Sequence, residues 1–138
     1  MDESHANGGV RLVLVSHSAA IAEGLAELVG QVAGPEVGIV AAGGGPDGSL
    51  GTDGGRVLEA LRAAAADGEA VVLVDIGSSV LSVRSALEEL SPAERERILV
   101  ADAPLVEGAI AAGAAASTGC SSPEVVQAAE EARSTGKL

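Results

Sequence analysis

Four short apolar runs, spanning 11–15, 37–42, 70–75 and 98–101, recur along the chain with stretches of helical spacing between them. Their apolar positions are nearly continuous rather than alternating, the pattern of strands covered on both faces. Between them, Ile21, Leu25, Leu28, Val29 and Val32 share one helical period, Val57, Leu58 and Leu61 a second, and Val80, Leu81, Leu87 and Leu90 a third. Gly34-Pro35, Asp67-Gly68 and Ser91-Pro92 supply the stops. Pro104 suits a first helical turn, where its missing amide costs nothing, and so predicts a small-residue helix towards Ser117. A last helix is predicted from Pro123 to Arg133.

This alternation predicts an α/β fold: a doubly wound, mainly parallel sheet of about four strands, covered by helices on both faces. Right-handed crossovers make 2-1-3-4 the simplest strand order, with the switch point between strands one and three. Residues 1–9 read as a flexible tail and 10–138 as one domain. The glycine-rich stretch 43–55 is the longest irregular segment, and long loops in small domains are usually functional or disordered.

Composition narrows the partners. Phe, Tyr and Trp are all absent, so Val, Leu, Ile and Ala must build the core, and aromatic stacking of bases or sugar rings is excluded. A net charge of −12 argues against nucleic-acid backbones and anionic membranes and favours partners carrying basic patches. No apolar run reaches the roughly 18 residues of a membrane span, and the first residues lack the features of a signal peptide. One cysteine, Cys120, cannot form an internal disulfide; with no histidine or second cysteine near it in sequence, it is assigned no chemistry. An unpaired thiol fits a reducing, cytoplasmic compartment.

The candidate chemistry gathers where the strands end. His17 follows the first strand, at the carboxyl edge where ligand sites of parallel sheets lie. An ordinary imidazole, with a pKa of roughly 6.5, is largely neutral and nucleophilic at pH 7. In the order 2-1-3-4, Asp75 emerges beside it and can fix one ring nitrogen while the other attacks. Gly77 would permit close backbone approach, and Ser78 and Ser79 offer hydroxyls and amides to an anion. Ser18 and the Gly51-Thr52-Asp53 segment offer the same at two other helix starts. The competing reading makes Ser18, Asp53 and Ser79 ordinary N-caps, worth about 1 kcal/mol each. His5 falls in the expected tail and is read as solvated. The histidines and the cysteine show no zinc spacing, so no metal site is expected. No Gly-x-Ser-x-Gly elbow or Walker A sequence occurs, and the Gly-x-Gly-x-x-Gly spacing at 43–48 opens a loop rather than a helix.

Four segments in order, at 12–18, 51–53, 74–78 and 103–108, resemble the phosphotransferase subunits of phosphoenolpyruvate-dependent dihydroxyacetone kinases, the DhaM family, related to the IIA domain of the mannose-type sugar phosphotransferase system (PTS). The resemblance implies a homodimeric α/β protein whose histidine, here His17, accepts phosphoryl from the phosphohistidine of HPr. It then passes the group to ADP held on the DhaL subunit, which with DhaK phosphorylates dihydroxyacetone (glycerone). By the same resemblance Asp75 orients His17, and Thr52, Ser78 and Ser79 bind phosphate. No cofactor is expected to stay on this chain; ADP and a divalent metal are expected on DhaL. Longer members append HPr-like and Enzyme I-like domains; no second carrier-histidine motif occurs here, so a separate HPr is the expected donor. The alternatives are a mannose-type sugar IIA component and a binding module regulated by phosphorylation.

Overall fold

Alternate side chains of a strand point to opposite faces, and the sequence Leu12-Val13-Leu14-Val15 supplies apolar groups to both. The computed structural model describes residues 9–138. In it this segment is β1 (Arg11–Ser16), a central strand flanked by β2 (Ile39–Gly43) and β3 (Ala70–Val74), with β4 (Ile98–Val100) beyond β3. The sheet is parallel throughout and runs β2-β1-β3-β4, the order expected from the sequence. Six helices accompany it: α1 (Ala19–Ala33), α2 (Gly54–Asp67), α3 (Gly77–Glu89), α4 (Pro92–Arg95), α5 (Leu105–Ser117) and α6 (Ser122–Glu131).

Two cores result. Leu12, Leu14, Val71 and Leu73 pack with Leu25 and Val29 of α1, Ala109 and Ala112 of α5, and Val125 and Ala129 of α6. On the other face Val13, Val15, Val72 and Val74 meet Val57, Leu61 and Ala64 of α2 and Val83 and Ala86 of α3. Without aromatic residues, close approach replaces side-chain bulk. A Cβ on Gly113 would stand 2.7 Å from Cγ1 of Val29, so α5 rests against α1 at a distance only glycine permits.

The helical faces differ from those read in the sequence. In α1, Leu25 and Val29 are buried together with Ala22 and Ala33, whereas Ile21, Leu28 and Val32 are 51%, 48% and 46% exposed. In α3 the buried positions are Ser79, Val83 and Ala86, and Leu81 is 63% exposed. Small residues take the inward positions because the helices lie close to the sheet. Strand boundaries move by one or two residues, and Asp75 lies just past the end of β3. Ser91 does not simply stop the third helix. It caps α4 through a capping box with Glu94, and Ser121 caps α6 in the same way with Glu124.

The register positions the functional edge. Val15 lies opposite Val74, so Ser16 and Asp75 leave the sheet side by side. The 43–55 loop returns over the same edge: Gly44 and Thr52 form an isolated parallel bridge, and the Gly51 amide donates to the His17 carbonyl at 2.8 Å. Gly43 allows this closeness, since an added Cβ would fall 2.6 Å from the Ser18 carbonyl oxygen. Among the described residues, no helix is long and apolar enough to cross a membrane. Residues 1–8, including His5 and most of the expected tail, lie outside the described residues.

Candidate functional site

Asp75 is the hub of the sheet edge. Its Oδ2 accepts from the Ser16 hydroxyl at 2.8 Å and the His17 amide at 2.9 Å; its Oδ1 accepts from the Ser79 hydroxyl and the Ile76 amide, both at 2.7 Å. Nδ1 of His17 stands 3.1 Å from Oδ1. Burial works against the Asp75 charge, but the hydrogen bonds from Ser79, the His17 and Ile76 amides and Ser16 outweigh it and hold the carboxyl well below the usual carboxylate range. The group is therefore an anion at neutral pH and can only accept.

That fixes the tautomer of His17. Nδ1 faces the carboxylate and also the Ser79 oxygen, 2.9 Å away, whose own proton is directed to Asp75. Two acceptors around Nδ1 require it to carry the proton, which leaves the lone pair of neutral imidazole on Nε2. Nε2 faces the Ser78 hydroxyl at the first turn of α3. The His17 side chain is 23% exposed and Asp75 18%, so the ring is held from within and open on its reactive side.

The three helix starts are not equivalent. Ser18 caps α1, accepting from the Ile21 amide at 3.2 Å, and its own amide is bound to the Ser16 hydroxyl. Asp53 caps α2, accepting from the amides of Gly55 and Arg56. The N-cap of α3 is Ile76, which supplies no side-chain acceptor. Among the described residues, the Gly77 and Ser78 amides have no intramolecular partner, so the one start of the three left open to an anion is the one beside Nε2.

The proposed phosphate ligands thus separate. Ser78 touches Nε2 directly. Ser79 is buried inside α3, bonded to Asp75 and Nδ1, so it is neither an N-cap nor turned towards Nε2. The Ser18 hydroxyl is spent on capping and does not meet the imidazole. Thr52 reaches the Ser82 hydroxyl at 2.6 Å, one turn beyond Ser78, rather than the ring. Gly77 is exposed, and an added Cβ would meet nothing within 4 Å, so no packing within the chain demands glycine there. Two participants escaped the sequence reading: Ser16, a fully buried hydroxyl between Asp75 and the Ser18 amide, and Ser82, which links Thr52 to α3 and donates to the Ser78 carbonyl. A serine closing an apolar strand, and serines at positions 78 and 82 on one helical face, were the available signals.

Comparison with known proteins places this edge in a family. The family model of PTS system fructose IIA components, EIIA-man, matches residues 11–128. A Providencia stuartii protein named "PEP-dependent dihydroxyacetone kinase, phosphoryl donor subunit DhaM" is 38% identical over 126 residues, covering 89% of this chain and 26% of that protein. The chain thus spans about a quarter of that relative. A Listeria innocua protein, named as the DhaM subunit of a second such kinase, is 40% identical over 103 residues, 75% of this chain and 82% of its own length. A solved structure of a protein of unknown function superposes with a TM-score of 0.81 at 33% identity, covering 94% of this chain and 97% of the other. The chain belongs to the EIIA-man family, the PTS system fructose IIA components, and groups there with the DhaM proteins.

Proposed function

We propose that this chain is a phosphoryl carrier, with Nε2 of His17 as the atom that bears the group, and that it serves a phosphoenolpyruvate-dependent dihydroxyacetone kinase. The observation that carries the reading is the pairing of a proton-fixed Nδ1, held by Asp75 and Ser79, with an Nε2 that faces the uncapped start of α3. In the loading step the P–N bond of a phosphohistidine on HPr breaks as the Nε2–P bond forms, and the donor imidazole leaves with its electron pair. Nδ1 keeps its proton, and the positive charge that develops on the ring is stabilised by Asp75. The Ser78 hydroxyl swings from Nε2 to a phosphoryl oxygen, joined by the Gly77 and Ser78 amides. In the second step the Nε2–P bond breaks as a bond forms to the terminal phosphate of ADP on DhaL, giving ATP and restoring neutral imidazole. DhaL and DhaK then act on dihydroxyacetone.

The names of the relatives support the kinase assignment, and the fructose IIA description of the family supports a second reading, in which phosphoryl moves to a sugar-transporter IIB protein. A homodimer belongs to the same proposal, and the exposed apolar stripe of α1 supports it. Incubation with phosphoenolpyruvate, Enzyme I and HPr, followed by intact-mass measurement at mildly alkaline pH, tests the carrier role. A gain of one phosphoryl group in the native protein and none in His17→Ala is the expected result; no gain with active donors would sink it. Discharge by DhaL and ADP, against discharge by a IIB protein, then separates the two acceptors.

A further inference from the structure

A cleft of about 530 Å³ opens on the side of α3 away from Ser78 and Ser82, between that helix and the carboxyl end of β4. Its walls are apolar, with Val80, Val83 and Leu87 from α3 facing Val100 and Ala101, and its inner end is the 74–77 segment that carries Asp75. Three charged residues border it, and the two carboxylates already have their partners within the chain. Asp75 is saturated by the donors around His17, and Asp102 is bound to Arg133 at 2.7 Å. The third, Arg84, has no ion-pair or hydrogen-bond partner among the described residues; Arg11, Arg62 and Arg133 are ion-paired, Arg56 and Arg97 bond to backbone carbonyls, and Arg95, which is unpartnered like Arg84, does not line the cleft. In a chain of net charge −12, the outer wall of this recess therefore presents a guanidinium with its donors still free, while the ionised Asp75 at the inner end is turned to the donors around His17.

We propose that this cleft is a docking slot for the protein that accepts the phosphoryl group, which presents a carboxylate to Arg84 and a neighbouring apolar side chain to the walls. The proposal rests on the carrier reading above and deepens it. A guanidinium fork is built to receive a carboxylate, and a small apolar recess accommodates the side chain next to it. The same cation repels a donor whose docking face is basic, so Arg84 separates the two half-reactions. It acts on acceptor recognition and leaves loading alone.

Rapid-quench measurement of both half-reactions tests this with Arg84→Glu, Arg84→Lys and the native protein, using HPr as donor and DhaL loaded with ADP and magnesium as acceptor. Arg84 is exposed on α3, and matching melting curves confirm that the variants fold. Expected are unchanged or faster loading of Arg84→Glu by HPr, discharge to DhaL slowed by about tenfold or more, and partial recovery in Arg84→Lys. Equal discharge rates in Arg84→Glu and the native protein overturn the slot while leaving the carrier intact. A parallel loss in both half-reactions overturns it as well, because the residue would then serve general stability or both partners. If the native protein never loads on His17, the carrier reading falls and the slot with it.

Discussion

At the scale of single residues the argument turns on Asp75. Five donors converge on one carboxylate, which can accept about four hydrogen bonds at full strength, so the charge is over-supplied and its geometry fixed. Asp75→Asn keeps the shape but replaces one acceptor oxygen with a donor, and the Nδ1 proton loses its obligatory partner. Loading of His17 by phospho-HPr is expected to slow by roughly 10²- to 10⁴-fold, read from the time course of the mass shift. Stability should fall by about 2 kcal/mol at neutral pH, the scale of hydrogen bonds to a charged group. The pH dependence has a definite sign. Because the folded carboxyl is held below its unfolded value of about 3.9, its stabilisation is fully present above that value and is lost as pH falls through the folded one. Denaturation midpoints of the native protein and Asp75→Asn, measured from pH 7 downwards, should run parallel above about pH 5 and converge below about pH 4. Curves that stay parallel through the acid range would show that Asp75 is not the ionised hub described here.

Elements show where sequence reading succeeds and where it stops. Strand order and the meeting of His17 with Asp75 were legible because buried parallel strands leave continuous apolar runs, and the handedness of crossovers allows few orders. The faces of the helices were not. Leu and Ile dominate a hydropathy pattern, yet in α1 the inward ridge is Ala22, Leu25, Val29 and Ala33, because a core without aromatic rings is closed by small residues at short range. For Ser79 the sequence offers two readings, an anion ligand or an N-cap, and neither contains its observed contacts, because only the tertiary position of the carboxylate turns it inward. The large residues displaced from the core have a consequence. Ile21, Leu28 and Val32 lie seven and four positions apart on one exposed stripe of α1, an apolar surface that a second copy of the chain can cover. Light scattering coupled to size exclusion is expected to give the mass of two chains for the native protein and of one for Leu28→Glu. A native protein that remains monomeric at high concentration would leave the stripe without that role.

For the molecule as a whole the dominant quantity is its charge. Twenty carboxylates against eight basic residues create a negative field that reaches a Debye length into solvent, about 30 Å at 0.01 M salt and about 8 Å at 0.15 M. The His17 edge adds a local feature to that field, since the α3 start beside Nε2 bears the positive end of a helix dipole and the half-buried Asp75 lies on the Nδ1 side of the ring. On the proposed carrier reading, a basic donor would be drawn by the long-range term, and the phosphoryl group it carries would be received by the short-range one. These two contributions respond differently to salt. Long-range attraction is screened between oppositely charged proteins, so the second-order rate of loading by HPr should fall several-fold from 0.01 M to 0.15 M salt. The dipole, amides and hydroxyls act at contact distance, so the single-turnover rate within the preformed complex should barely change. Stopped-flow loading over a salt series, with the donor varied from limiting to saturating, separates the two. A second-order rate that is flat in salt would mean that the −12 charge faces away from the donor, and that the His17 edge recruits it through contact surface alone.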